Sequence, residues 1–90
     1  MNYYVYMLKC ITPKIKKTYV GYTNNLVKRL KKHNNSKGAK STKGFKWQII
    51  FKKKFLSKSK AMSFEYCLKK NRKERLKILN SNKVIKKYSE

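Results

Sequence analysis

The sequence predicts a small α+β domain in which helices flank a three-stranded antiparallel sheet, with the elements in the order β-β-α-β-α-α. Three segments are rich in the aromatic and β-branched residues that favour strands. Helix-capping residues and helix-spaced apolar residues follow the second and third of them. The 90 residues suit one modest core, so we assign residues 1–82 to a single domain and residues 83–90 to a polar C-terminal tail.

The first two strands are predicted to form a hairpin. Residues 3–8 are aromatic and β-branched without a polar interruption, which is typical of a strand covered on both faces. Pro13 marks the turn, and residues 18–22 form the second strand. Gly21 inside that strand indicates a bulge or a close approach of the backbone.

The hairpin register decides which side chains meet on the sheet. A turn over residues 11–14 would place Tyr6 opposite Tyr19, with both side chains on one face. A register change of two residues would keep the face shared. Two tyrosines on a sheet are more often packing residues than catalytic ones, and both interpretations stay open on the pattern alone.

The first helix and the loop after it come next. Asn25 offers N-cap chemistry for a helix over residues 25–33, in which Leu26 and Leu30 share the buried side. The glycines and small polar residues of 34–44 predict a loop.

The second half of the chain predicts a strand and two helices. Residues 45–51 alternate apolar and polar side chains, as in a half-buried strand, and Ile50 breaks the alternation. Ser57 begins a cap for a helix over 60–70, and a further helix is predicted at 72–79.

The charge balance points to a polyanionic partner. Lys and Arg number 26 against 3 acidic residues, a formal net charge of +23, which favours DNA or RNA. An A·T-rich coding sequence would favour lysine, but Glu codons share that bias. The shortage of carboxylates is therefore the more informative half of the count.

Several other classes of protein are disfavoured. No apolar run approaches a membrane span, and the N-terminus lacks the pattern of a signal peptide. Cys10 and Cys67 form no CxxC pair and His33 is the sole histidine, which argues against structural zinc. We expect reduced thiols in an intracellular protein, cytoplasmic or nucleoid-associated.

Two groups of polar residues stand out on the predicted helices. Arg29 and His33 are four residues apart and share a helix face, either as part of a solvated basic surface or as a phosphate-binding pair. Glu65 lies beside an apolar stripe, where a carboxylate needs a partner. That partner is either Lys69 at i+4 or Mg²⁺, which takes few protein carboxylates together with waters and substrate phosphate.

Together these residues resemble the GIY-YIG nuclease domain. The resemblance is carried by Tyr4-Val5-Tyr6, Tyr19-Val20-Gly21, Arg29, His33 and Glu65, and it spans residues 3 to about 80. The loop over 37–42 is similar to that of small stand-alone members related to the nuclease subunit of structure-specific endonucleases. The resemblance implies a three-stranded antiparallel sheet flanked by helices and hydrolysis of phosphodiester bonds in DNA, with RNA left open as a substrate.

The resemblance also implies roles for single residues. Either Tyr6 or Tyr19 would activate the attacking water, and the other would orient that water or bind phosphate. Arg29 would hold the scissile phosphate, and His33 would assist Arg29 or the proton path. Glu65 would ligate Mg²⁺ or Mn²⁺. Gly21 would have a structural role, since it would let the backbone come close to the site.

The remaining expectations concern nucleic-acid binding and partners. The lysines expected to bind the nucleic acid are Lys28, Lys32, Lys37, Lys40 and Lys43. We expect a monomer without a membrane partner, and relatives sometimes work with a partner subunit. The alternative function is a noncatalytic basic nucleic-acid-binding protein. A semi-buried Glu65 near a phosphate-binding face favours the nuclease.

Overall fold

The computed structural model describes the backbone of residues 2–85 and the side chains of residues 2–81. Its elements are β1 (Tyr3–Cys10), β2 (Thr18–Thr23), α1 (Leu26–Asn34), a 3-10 turn (Lys40–Thr42), β3 (Trp47–Phe55), α2 (Lys58–Lys70) and α3 (Arg72–Ile85). This order confirms the predicted α+β architecture. Residues 86–90, the end of the predicted tail, lie outside the described residues.

β1 occupies the centre of the sheet, whose order is β2-β1-β3 with antiparallel pairing throughout. Its side chains alternate between two clusters. Tyr6 and Leu8 pack on one face with residues of α1, whereas Val5 and Met7 pack on the other with residues of α2 and α3. Because both faces of β1 are covered, residues 3–8 of the strand form an uninterrupted apolar and aromatic run.

The register of the hairpin differs from the predicted one by two residues. Tyr6 pairs with Gly21, and Tyr19 pairs with Leu8. The prediction that Tyr6 stands directly opposite Tyr19 is therefore wrong, because the connection between the strands spans residues 11–17 rather than a four-residue turn. A shift of two keeps the sheet face, so both tyrosines still belong to the cluster beside α1.

A β-bulge explains why Ile50 interrupts the alternation in β3. Met7 pairs with Phe51 and Leu8 pairs with Ile49, so Ile50 is the extra residue. Ile50 is 2% exposed and packs in the cluster under α2 and α3. The bulge thus lets neighbouring residues of β3 serve opposite faces of the sheet.

The two C-terminal helices cover one face of the sheet. The Ser57 hydroxyl caps α2 by accepting the Lys60 N–H at 3.3 Å, and the helix begins at Lys58, two residues earlier than predicted. α3 continues to Ile85, beyond the predicted end. No helix of residues 2–85 is both long and apolar enough to span a lipid bilayer.

α1 covers the opposite face and is fixed at its start by Asn25. The Asn25 side chain accepts the Lys28 N–H at 3.1 Å, so Asn25 is the N-cap rather than the first helical residue. Leu26 and Leu30 pack against the Tyr6 cluster. This packing turns the side of α1 that carries His33 towards the interior, where His33 is 0% exposed.

Candidate active site

Tyr6 forms the centre of a buried polar cluster under α1. Its hydroxyl oxygen lies 2.8 Å from His33 Nε2, and Arg29 Nε donates to the same oxygen at 3.3 Å. Tyr6 is 1% exposed, whereas Arg29 is partly exposed. Arg29 and His33 thus meet at one phenol, although they are 23 and 27 residues away from Tyr6 in the sequence. They meet there because the helix face that buries His33 also carries Arg29.

His33 continues the cluster into the loop before β3. Its Nδ1 lies 2.9 Å from the Thr42 hydroxyl, which donates to the Ala39 carbonyl at 2.8 Å. Burial, and then the nearby charge of Arg29, lower the pKa of His33 to about 4. The imidazole is therefore neutral at physiological pH.

The phenol of Tyr6 also stays neutral. Burial raises its pKa to about 12, although the hydrogen bond from Arg29 works in the opposite direction. Electrostatic interactions with Tyr19 and Glu65 add to the increase. Tyr6 therefore keeps its proton at neutral pH.

Tyr19 reaches the same cluster from β2. Its ring centroid lies 4.9 Å from that of His33 and 6.3 Å from that of Tyr6. The pKa of Arg29 is raised, chiefly by the hydrogen bond with Tyr6 and to a smaller extent by a hydrogen bond with Tyr19. Unlike Tyr6, Tyr19 is partly exposed, so it is the tyrosine that a ligand outside the core would meet.

Gly21 provides the space for the two tyrosines. A Cβ at this position would lie 2.6 Å from the Tyr6 hydroxyl oxygen and 2.9 Å from Tyr19 Cε2. At Gly21, where the sequence predicted a close approach, the Tyr6 and Tyr19 side chains pack against the backbone.

Glu65 enters from α2. Its side chain is 17% exposed and pairs with Lys69 Nζ at 3.4 Å, the ion pair that helix spacing predicted. Among the influences on the pKa of Tyr6, the charge of Glu65 is the smallest and acts to raise that pKa. No group of three or more His, Cys, Asp or Glu that could hold a metal occurs within the described residues. A single, partly exposed carboxylate fits an ion such as Mg²⁺, which keeps waters and takes substrate oxygens as further ligands.

The five predicted nucleic-acid-binding lysines are all exposed. They lie on α1 and in the loop that follows it: Lys28, Lys32, Lys37, Lys40 and Lys43. At 100° per residue, Lys28 and Lys32 lie on the flank of α1 next to Arg29. The cationic surface therefore continues from the partly exposed guanidinium along the helix.

Sequence reasoning missed two residues that hold His33. Thr42 is 0% exposed and bonds to Nδ1, and Gly38 leaves so little room that a Cβ there would lie 2.5 Å from the same atom. Neither residue belongs to a periodic element, so no periodicity pointed to them.

The three-stranded antiparallel sheet thus presents two tyrosines to an arginine and a histidine of the following helix. The family model described as the GIY-YIG catalytic domain matches residues 2–88. The chain belongs to the GIY-YIG family, a nuclease family, which confirms the resemblance inferred from the motifs.

Relatives of similar length accompany this match. The UPF0213 protein OB0043 of Oceanobacillus iheyensis is 44% identical over 80 residues, covering 87% of this chain and 90% of that protein. The UPF0213 protein CPE1444 of Clostridium perfringens is 43% identical over 86 residues, covering 93% and 88%. The solution NMR structure of the UPF0213 protein BH0048 from Bacillus halodurans, 38% identical, matches with a TM-score of 0.50 and covers 89% of this chain and 84% of that one.

Proposed function

We propose that this chain is a divalent-metal-dependent endonuclease that hydrolyses phosphodiester bonds in DNA. The observation that carries the proposal is the 3.3 Å contact between Arg29 Nε and the Tyr6 hydroxyl. This contact anchors a partly exposed guanidinium on a buried phenol, beside the partly exposed Tyr19. A protein that only binds nucleic acid has no need of this combination.

Arg29 is proposed to hold the scissile phosphate. Its Nε is bonded to Tyr6, and the N–H groups that are not bonded to the two tyrosines remain for the ligand. The raised pKa of Arg29 keeps the guanidinium charged. Fixed positive charge stabilises the negative charge that develops on phosphoryl oxygens during the reaction.

Burial distinguishes the roles of the two tyrosines. Tyr6 is 1% exposed with a pKa of about 12, so forming its phenolate at pH 7 would cost about 7 kcal/mol, and its hydroxyl serves instead to anchor Arg29. Tyr19 is partly exposed beside the same guanidinium. We therefore assign to Tyr19 the contact with the attacking water or with the phosphate.

Glu65 is the proposed ligand of the divalent cation, Mg²⁺ or Mn²⁺. Lys69, which pairs with this carboxylate, is exposed enough to move away when the ion binds. When bound, the ion supplies Lewis-acid polarisation of a phosphoryl oxygen and eases deprotonation of water. The chain itself contributes the carboxylate, the guanidinium and the phenols.

The exposed lysines and a net charge of +23 supply affinity for the DNA backbone. We propose an intracellular location, cytoplasmic or nucleoid-associated, where such a substrate is found. One chain contributes every residue of the proposed site, so a monomer suffices for chemistry, and a partner subunit would act on substrate choice.

Plasmid nicking tests the proposal. Supercoiled plasmid, a flap and a four-way junction are each incubated with the protein in Mg²⁺, in Mn²⁺ and in EDTA. We expect cleavage in the presence of metal, none in EDTA, and a loss of about a hundredfold or more in Glu65→Ala, with Glu74→Ala as the exposed control. Absence of metal-dependent cleavage on every substrate would favour the noncatalytic nucleic-acid-binding alternative. Full activity of Glu65→Ala would remove Glu65 from the mechanism.

A further inference from the structure

The loop between α1 and β3 closes over His33 with one fully buried polar side chain. Lys37, Lys40, Ser41 and Lys43 in this loop are exposed, yet Thr42 is 0% exposed. The Thr42 hydroxyl oxygen lies 2.9 Å from His33 Nδ1. The burial of a single hydroxyl against one ring nitrogen is a specific contact within an otherwise solvated loop.

The partners of this hydroxyl determine where the protons lie. The Thr42 hydroxyl has one proton and two neighbouring acceptors, the Ala39 carbonyl at 2.8 Å and His33 Nδ1 at 2.9 Å, and the carbonyl also accepts the Thr42 backbone N–H at 3.1 Å. In the arrangement that pairs every proton of the cluster, the hydroxyl donates to the Ala39 carbonyl. Only lone pairs of Thr42 are then left for His33, and Nδ1 must carry a proton to bond with them. A neutral imidazole has a single N–H, so Nε2 is bare and accepts the proton of Tyr6 at 2.8 Å.

The direction of the Tyr6 hydroxyl then follows. Its proton points to His33, and a lone pair faces Arg29 Nε at 3.3 Å. In the opposite tautomer, the Nε2 proton and the Nε proton of Arg29 would both point at the phenol oxygen. The proton of Tyr6 would lose its acceptor inside a buried cluster, which is costly.

We propose that Thr42 is a positioning residue of the active site: it fixes His33 as the Nδ1–H tautomer, which orients the Tyr6 hydroxyl to hold Arg29 in place. The part of this inference that concerns phosphate hydrolysis rests on the proposed function. The part that concerns the tautomer rests on the hydrogen bonds alone, so separate measurements can test the two parts.

The tautomer can be measured without ambiguity, because His33 is the only histidine of the chain. In a ¹⁵N-histidine sample at pH 7, we expect the shifts of a protonated Nδ1 and a bare Nε2. Thr42→Val keeps the side-chain shape but removes the hydroxyl, so we expect His33 in this variant to lose its preference for the Nδ1–H tautomer. Thr42→Ser should keep it, and Ser41→Ala, at the exposed neighbouring position, is the matched control.

The consequence for Arg29 has two readouts. The Nε–H of Arg29, one of three arginines, should exchange with solvent faster in Thr42→Val than in wild type. Metal-dependent cleavage should fall about tenfold or more at unchanged DNA affinity, and Thr42→Ser should restore it.

Three outcomes would overturn the proposal. The first is an Nε2–H tautomer in the wild type, which needs no variant. The second is a retained Nδ1–H tautomer in folded Thr42→Val. The third is an altered tautomer with unchanged Arg29 exchange and cleavage. A wild-type protein that cleaves nothing would defeat the proposed function, while the tautomer and exchange data would still decide the role of Thr42.

Discussion

Gly21 lies so close to Tyr6 that an added Cβ would stand 2.6 Å from the phenol oxygen. Tyr19 Cε2 would lie 2.9 Å from the same Cβ. Both tyrosine side chains therefore pack directly against Gly21, and the absence of a Cβ at this position allows them to lie this close to the backbone of β2.

Gly21→Ala should therefore disturb both stability and the site. Displacing two ring side chains in a packed cluster should lower the free energy of unfolding by about 1–3 kcal/mol. Cleavage should also fall, because Tyr6 holds Arg29. Urea unfolding and plasmid nicking on the same sample measure the two effects.

Gly44→Ala is the matched control for this substitution. Gly44 has φ +88, and an added Cβ would meet no atom of the described residues within 4 Å. Alanine there should cost about 1–2 kcal/mol through its backbone alone. Cleavage by the folded Gly44→Ala protein should equal that of wild type. Equal cleavage by Gly21→Ala and Gly44→Ala would show that Gly21 has no link to the site.

Arg29→Lys should separate binding from chemistry. Lysine keeps the charge but loses both the Nε donor to Tyr6 and the planar guanidinium. We expect DNA affinity to change by less than about twofold and cleavage to fall about a hundredfold. Lys28→Ala, at an exposed position on the same helix, should instead weaken affinity and leave the cleavage rate of bound DNA unchanged. Wild-type turnover by Arg29→Lys would contradict the role proposed for the guanidinium.

DNA binding should depend steeply on salt. Neutralising about six phosphates gives a slope near −5 for log affinity against log salt. Replacing Lys37, Lys40 and Lys43 by Ala should make the slope shallower by roughly 0.9 for each phosphate that the variant no longer neutralises, for every DNA sequence alike. Fluorescence anisotropy over a salt series measures both slopes.

The control for this series removes the same charge elsewhere. Lys60, Lys73 and Lys77 are exposed on α2 and α3, which cover the opposite sheet face from α1. Their joint replacement by Ala should change the slope less than the loop variant does. Equal effects would indicate that DNA binds without a preferred face.

The parts of the fold that depend on local periodicity could be predicted from the sequence. Tyr6 and Tyr19 could be placed on one face because side chains alternate along strands, whereas their register depended on a connection, residues 11–17, whose length no motif determines. Ile50 was visible as an irregularity, but its cause is a bulge that exists only against the partner strand.

The same distinction applies to the site. Arg29 and His33 could be paired by helix spacing. Thr42 could not, because its reach to His33 depends on a loop whose path includes positive φ values at Ser36 and Gly44. The interaction of Glu65 with Tyr6 likewise joins a residue of α2 to a strand side chain in the cluster beside α1, a long-range relationship that spacing along the chain does not encode.

His33 should make the protein sensitive to mild acid. Its pKa is about 4 in the folded protein, because burial and then the charge of Arg29 disfavour the imidazolium, against an ordinary value of 6.5. Between these values the unfolded chain binds more protons than the folded one, so the free energy of unfolding rises with pH. We expect a loss of about 3 kcal/mol between pH 7 and pH 4, measured by urea unfolding at stepwise pH.

The composition makes this measurement unusually direct, because only 3 acidic side chains compete with His33 for protons in the acidic range. An NMR titration of the sole histidine gives its folded pKa independently of stability. His33→Gln removes the titrating group, so its stability should vary far less between pH 7 and pH 4 than that of wild type, whatever its starting value. Titration of His33 near 6.5 in the folded protein, or an equal loss of stability in His33→Gln, would show that the buried imidazole is not the source of the acid sensitivity.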